Sequence, residues 1–489
     1  MKKLKRTLAF ALVFLLLFSM SVFAEETPQD TNFRVFFDGQ EINFPDEKPY
    51  HTADDFRYLY IPLRAISEAM GFEVSWEGES KTATITKGDR TATFTVGGSM
   101  FVNGEEKAAM VNFPLINGRV FVSQYGICHA LDCTMSWNDV ERVLCFYSNE
   151  KYENGVPFSQ GTLVGANLKD EVYEEFYSMA ENAFIYPGLN EHFIPQGIAY
   201  RKDTNQFYLS GYFSAKIKNM NSSIVVVDAE TGNVARQYQL LHEDGSPHRG
   251  HMGGIAISDK DIYFENGARI QRISLATIDA MEPTGHLKVE ENIMLTLGIS
   301  SSNDFLECSD GYLWMGNYYD IDDKKYSKTI VHESYPFLIR GYKLDSTQPS
   351  GLAAKYKVEG NELYDYAPEV LYEVEEQKIQ GMTSIGKYLV TATSKSWNPS
   401  YLYVYDTSKS VGTHGAVTLD GGFEIPVIRL SLEKSIKAIP YMEEIAAANG
   451  NLYVTFESGA VKYRRKANKY TTDSVWKIDI EKLVAPSSK

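Results

Sequence analysis

The sequence predicts a mainly β protein built in two parts, a small α+β tandem repeat followed by a long run of short strands. Three observations carry this prediction. Aromatic residues make up 13% of the 489 residues, with 32 Tyr and 26 Phe, and pleated surfaces favour aromatic and β-branched side chains. A pattern between 33 and 147 occurs twice, 61 positions apart. From 160 onward, strand-like segments recur with turn signals, and no helix-period segment longer than a few turns interrupts them.

The chain opens on Lys2, Lys3, Lys5 and Arg6, followed by an apolar run from Leu8 to Phe18 and a small-x-Ala site at Val22-Phe23-Ala24. Residues 1–24 therefore read as a cleavable signal peptide. The apolar run is too short to span a bilayer comfortably, no Cys follows it, and no second such run exists. The expected product has no transmembrane anchor and is secreted, extracellular or cell-wall associated. Without the signal, 44 basic residues face 64 acidic ones, a balance of −20. That argues against nucleic acid as a partner, because phosphate binding needs clustered Lys and Arg. Cys128, Cys133 and Cys145 crowd into eighteen residues, which leaves room for one disulfide outside the cell. Cys308 reads as a lone core thiol.

The tandem repeat occupies 33–148. In its first copy Tyr60-Ile61-Pro62-Leu63-Arg64 leads into an amphipathic stretch through Met70, then Gly71, Phe72-Glu73-Val74-Ser75-Trp76 and an alternating strand from Lys81 to Thr86. The spacing predicts a short helix between strands, then a hairpin, with Gly71 as the left-handed helix stop. The second copy keeps the pattern but has Ser123, Gln124 and Tyr125 for Pro-Leu-Arg, and Asp132 for the glycine. Each copy alone is too small to bury its apolar face, so the two are expected to share a core. The V/I-P-L-R-a-i-s-e-a-x-G-x-x-V-x-W pattern resembles the copper amine oxidase N-terminal, or stalk, domain. Copper chemistry is not implied: the H-x-H copper pair has no match, and Asn317-Tyr318-Tyr319-Asp320 has one Tyr too many for the cofactor motif.

Residues 160–484 repeat one grammar five times. A polar or glycine-rich lead precedes a small-apolar strand, a Gly/Asp/Asn turn, an aromatic strand and an alternating apolar strand. The leads are at 195–199, 252–256, 303–306, 380–383 and 442–446, and the aromatic second strands at 206–209, 261–264, 311–314, 387–390 and 451–454. Such units suit the four-stranded blades of a β-propeller, with five blades, or six if 350–376 supplies another. The fifth unit runs out of chain after its third strand. A strand near 162–166 is therefore expected to close the ring and remove its exposed edges. The stretches I-P-Q-G-I-A-Y (194–200), S-S-I-V-V-V-D-A-E-T-G (222–232), H-R-G-H-M-G-G-I-A-I-S (248–258), K-I-Q-G-M-T-S (378–384), P-Y-M-E-E-I-A (440–446) and V-T-F-E-S-G-A-V-K-Y (454–463) resemble a family of secreted bacterial propeller proteins. That resemblance implies fold and export, and transfers no catalytic residue.

Propeller geometry gathers the leads and the second-strand exits on one face of a central channel. The candidate binding residues are therefore Gln196, His248, His251, Glu265, Asn303, Asp304, Asn317, Gln380, Glu443, Glu444 and Glu457, with Asn266, Ser394 and Ser458 beside them. His248 and His251 lack an H-E-x-x-H setting, and a loop histidine bonded to backbone is the plainer reading. Strand alternation allows only one of Glu443 and Glu444 to face the channel. Paired carboxylates with Glu457 would suit glycoside chemistry or calcium. Asp320-Ile321-Asp322-Asp323 lacks the Gly and distal Glu of an EF-hand and reads as a solvated insertion. The expected function is binding of an extracellular glycan, peptide or protein on the channel face, with the stalk as anchor or spacer on a cell-wall polymer. The alternative is an extracellular carbohydrate- or lactone-directed hydrolase or lyase using carboxylates and His. No cofactor is fixed by the sequence; calcium fits the carboxylates and copper does not.

Overall fold

A computed structural model describes residues 31–485 except 53–54, 109–111, 156, 215–219, 267–268, 296, 298–303, 329, 354–365, 410–411, 420–421 and 465–468. The expected signal peptide and Asn303 thus lie outside the described residues. Strands dominate the described chain. None of its helices is long and apolar enough to cross a membrane.

Two compact units emerge, one containing 42–133 and the other 34–41 with 134–489. In the first, Asp55–Pro62 pairs with Arg119–Ser123 of the second repeat copy. The helices Leu63–Ala69 and Gln124–Leu131 pack against these strands. Ile61, Leu63, Ile66, Val122, Ile127 and Ala130 are almost wholly buried there. The departures in the second copy keep the helix by other means. Ser123 caps it, its Oγ accepting from the Gly126 N–H at 3.2 Å. Asp132 takes the left-handed stop at φ 54°, as Gly71 does at φ 78°. Residues 73–107 form a five-stranded antiparallel meander. The corresponding hairpin of the second copy, Cys133–Asn138 with Val143–Ser148, instead adds Arg34–Phe37 as a parallel strand.

Besides the sheet that holds Arg34–Phe37, the second unit has five antiparallel sheets built on four strands each, taken in chain order in the first four, while the fifth takes its fourth strand from earlier in the chain. Their first strands are Phe193–Arg201, Ile255–Ile257, Phe305–Ser309, Ile379–Ile385 and Met442–Ala448. Each adjoins the next, and the last adjoins the first, so the five close a cycle around a common hub. Apolar clusters fill the interfaces between successive sheets, for example Val390, Leu402, Ile436, Ile445, Val454 and Trp476 between the fourth and fifth. Two sheets are extended at their outer edges. Thr284–Lys288 adds in parallel to the first, and the hairpin Gly412–Leu419 with Phe423–Arg429 adds to the third. Within 350–376, the described strand Val370–Glu373 is the fourth strand of the third sheet.

The closing strand is not where the sequence suggested. Ala180–Ile185, not 162–166, pairs with the terminal strand Ser474–Asp479. Segment 162–166 contains a turn with Gly165 at φ 71°. It is tied to the same end of the chain by capping, the Leu163 N–H donating to Asp473 Oδ2 at 2.9 Å. Ala180–Ile185 is suited to edge duty because Phe184 packs on Phe207, with ring centroids 5.7 Å apart, while Glu181 and Asn182 face solvent. No disulfide forms either. All four cysteines are free thiols, and the buried Cys145 Sγ lies 3.5 Å from Glu191 Oε1.

Candidate functional site

The leads into the first strands share an unusual backbone. His192, Met252, Lys378 and Tyr441 all take positive φ, between 63° and 67°. Non-glycine residues pay for that conformation in steric strain. Three of them serve the same purpose, their carbonyls accepting from the N–H of Ser214, Ser394 and Glu457 at the exits of the second strands. Just inside, the pairing register slips at 195–198, 379–381 and 442–445. Such bulges re-aim side chains next to functional sites. Gln196, Gln380, Glu443 and Glu444 sit in them.

Glu443 and Glu444 lie in the bulge of the fifth sheet, and both are buried. Glu444 Oε2 accepts from the N–H of Ile198 at 2.9 Å and of Ile255 at 3.1 Å, and Oε1 accepts from Leu306 at 3.0 Å. One carboxylate of the fifth sheet thus holds the first strands of three others. Burial pushes it well above the usual range, against the pull of those three donors. Room for it comes from glycine: a Cβ at Gly197 would lie 2.6 Å from Glu444 Oε2, and one at Gly381 2.7 Å from Glu444 Cα.

Glu443 belongs to a different cluster. Its Oε1 accepts from Gln380 Nε2 at 3.4 Å, and Glu457 and Asp304 are the carboxylates that act on it most strongly. Burial first, then these neighbours, push its carboxyl well above the usual range. Gln196 Nε2 donates to Glu457 Oε2 at 3.3 Å. Asp304 Oδ2 accepts from the Tyr318 N–H. Asn317 is fully buried beside it in sequence, and Ser394 contributes its carbonyl to the Tyr318 hydroxyl at 3.3 Å.

Aromatic rings surround the acids. Tyr212 and Tyr463 flank Lys462, whose Nζ donates to their hydroxyls at 3.1 and 3.0 Å. Tyr441 lies 4.9 Å from Tyr463 and 5.9 Å from the half-exposed Trp397 between ring centroids. Tyr326 stacks edge-on to Tyr318, with ring centroids 4.8 Å apart. The loop carrying Tyr326 is anchored by Asp320, which is fully buried and bonded to Lys395, with Lys378 Nζ 3.5 Å away. Against the penalty of burial, these lysines hold Asp320 below the usual carboxylate range. It is an anchor, where the sequence suggested a solvated insertion.

The two histidines part company. His248 is fully buried, its ring 4.5 Å from His242, and its Nδ1 accepts from the Gly250 N–H at 3.2 Å; burial lowers it to about 4. Full burial and this one bond to backbone make it a packing residue. His251 sits in the mouth, 5.0 Å from the Tyr212 ring and 3.9 Å from Glu265, which accepts from the Gly253 N–H. Its side chain is 54% exposed, yet the enclosing walls, with Lys462 and Lys325, lower it to about 4. Asn266 is partly buried at the exit of its strand. Ser458 is spent on the Thr472 N–H. Among the described residues no group of three or more His, Cys, Asp or Glu is arranged to hold a metal ion.

Tyr212, Tyr326, Tyr441, Tyr463 and Trp397 escaped the sequence reading, which gathered only polar and charged side chains. Their signal was position. Tyr212 ends a second strand, and Tyr441 leads into a first strand.

Comparison with known proteins agrees with this division of the chain in part. No curated protein matches. Partial structural similarity reaches glutaminyl cyclase from Myxococcus xanthus, at 11% identity and TM-score 0.31 over 61% of this chain and 94% of that one. It also reaches a chain of a nidogen/laminin complex, at 11% and 0.28 over 55% and 75%, and Hsv2 from Kluyveromyces lactis, at 10% and 0.23 over 54% and 72%. Scores this low carry no argument. The family model of the copper amine oxidase N-terminal domain matches residues 36–145. That segment, with its tandem repeat, is a copper amine oxidase N-terminal domain.

Proposed function

We propose that the second unit is a five-bladed β-propeller of an exported protein, and that its hub mouth binds an extracellular glycan, peptide or protein. The copper amine oxidase N-terminal domain then serves as anchor or spacer. The cyclic adjacency of five first strands supports the propeller. One observation carries the binding site: side chains far apart in sequence, Gln196, Tyr212, His251, Asp304, Tyr318, Gln380, Glu443 and Glu457, converge from all five sheets. A rim of aromatic rings around a few oriented polar groups is the usual make-up of a ligand site. Binding is favoured over hydrolysis because Glu444 is committed to backbone N–H groups of the hub, and His248 to packing.

Thermal-shift titration of the full chain with chito-oligosaccharides, cello-oligosaccharides and short peptides tests this reading. At least one is expected to raise the Tm, by about 2.7 kcal/mol of stabilisation at a hundredfold excess over Kd. Glu457→Gln should fold normally and lose the shift. No shift from any ligand, or a shift that Glu457→Gln retains, overturns the site.

A further inference from the structure

We infer that the second unit has another ligand site, a recess at the far end of the first strands from the mouth, and that it takes a small zwitterion bearing an ammonium and a carboxylate group. This recess shares no residue with the mouth, and neither reading depends on the other.

The mouth residues stand where the first strands begin; the recess lies where they end. The turns after Phe193–Arg201, Ile255–Ile257 and Phe305–Ser309, with the loop at 344–351, line a cavity of about 860 Å³. Small-molecule sites span about 300–1,000 Å³. Nearly buried arginines hold the walls. Arg201 is bidentate to both Asp203 and Asp279, with bonds of 2.6 to 3.0 Å. Arg272 Nη1 donates to Asp261 Oδ1 at 2.6 Å, and its Nε to Glu291 Oε2 at 3.1 Å. The third turn, Asp310-Gly311, takes positive φ at both residues, 53° and 79°, as a tight two-residue hairpin turn requires. A site on such braced turns loses little entropy when it is filled.

The charges left over decide the guest. Lys202 and Asp259 line the recess from adjacent sheets, and among the described residues neither side chain has a hydrogen bond or an ion pair. Lys260 Nζ donates to the Ser346 carbonyl at 2.9 Å, which leaves two of its three N–H groups. Asp310 accepts from the Ser384 hydroxyl at 2.7 Å through Oδ2 alone. The Cys308 thiol, also in the wall, is kept protonated by burial and by the acids around it, so it adds no charge. Two ammonium groups and two carboxylates therefore face the cavity with bonding capacity to spare. A simple anion drawn by the lysines is repelled by the aspartates, and a simple cation meets the reverse. A guest that carries both signs is attracted by all four.

Free amino acids and short peptides both carry this pair of groups, and calorimetric titration of the full chain separates them. One arm uses glycine and the other triglycine, each compared with its N-acetylated and its C-terminally amidated form. A free-ended ligand is expected to bind in at least one arm. Capping either end should weaken it about fivefold or more, since two wall charges then lose their match. Lys202→Met and Asp259→Asn, both at exposed positions and so expected to fold, should each weaken binding by a similar factor. The double variant should bind too weakly to measure. No binding in either arm overturns the inference. So does a capped form that binds as tightly as the free one, or free-ended binding undiminished in the double variant. None of these results turns on Glu457, so failure here leaves the mouth standing, and loss of the mouth leaves the recess.

Discussion

A carboxyl group buried without a cation beside it holds its proton to higher pH than in water. Glu307, on the first strand of the third sheet, is such a group: burial raises it to about 8, while the Thr383 hydroxyl, 3.1 Å away, pulls the other way. Its folded pKa lies above the unfolded value, so the stability it contributes is fully present below the unfolded pKa near 4.5 and is lost as pH rises through 8. Melting temperature should therefore fall between pH 5 and 8.5. Glu307→Gln, which keeps a partner for Thr383, should flatten that fall; an unaltered slope would disprove the assignment. At this scale the sequence located Gln196 and Glu443 at the leads of first strands, where the structure has them. It failed where burial decides the role. Asp320 stands in a run of exposed-looking acids, and only the fold brings Lys378 and Lys395 to it.

At the scale of elements, alternation and turn chemistry located most strands of the second unit: the aromatic segments at 206–209, 261–264 and 451–454 begin the strands Gln206–Phe213, Asp261–Asn266 and Asn451–Phe456. Bulges were not legible, because a slipped register leaves no mark in composition. The closing strand was also missed. Thr162-Leu163-Val164 has the stronger β propensity, yet Ala180–Ile185 wins because Phe184 finds a partner in Phe207. Amide hydrogen exchange separates the two directly. Protection at 180–185 should match that at 474–479, reflecting shared ladder bonds. Val164, whose N–H is held only by a side-chain carboxylate, should exchange much faster. Equal protection in the two segments would contradict the pairing.

For the whole molecule, Glu444 is the most consequential residue. Replacing it by Ala strands the N–H groups of Ile198, Ile255 and Leu306 in a buried hub. Orphaned buried donors cost about 1–1.5 kcal/mol each, so a loss of about 3–5 kcal/mol is expected in urea unfolding. A loss below about 1 kcal/mol would mean that the hub re-forms its bonds without the carboxylate.

The pairing of Ala180–Ile185 with Ser474–Asp479 has a temporal side. A ribosome delivers the earlier strand long before its partner, and the Leu163–Asp473 clasp likewise waits across 310 positions. The nascent protein must carry an unfinished seam until Ser474–Asp479 has emerged. A product cut short before Ser474 would keep that seam open, making it recognisable to chaperones and proteases as defective.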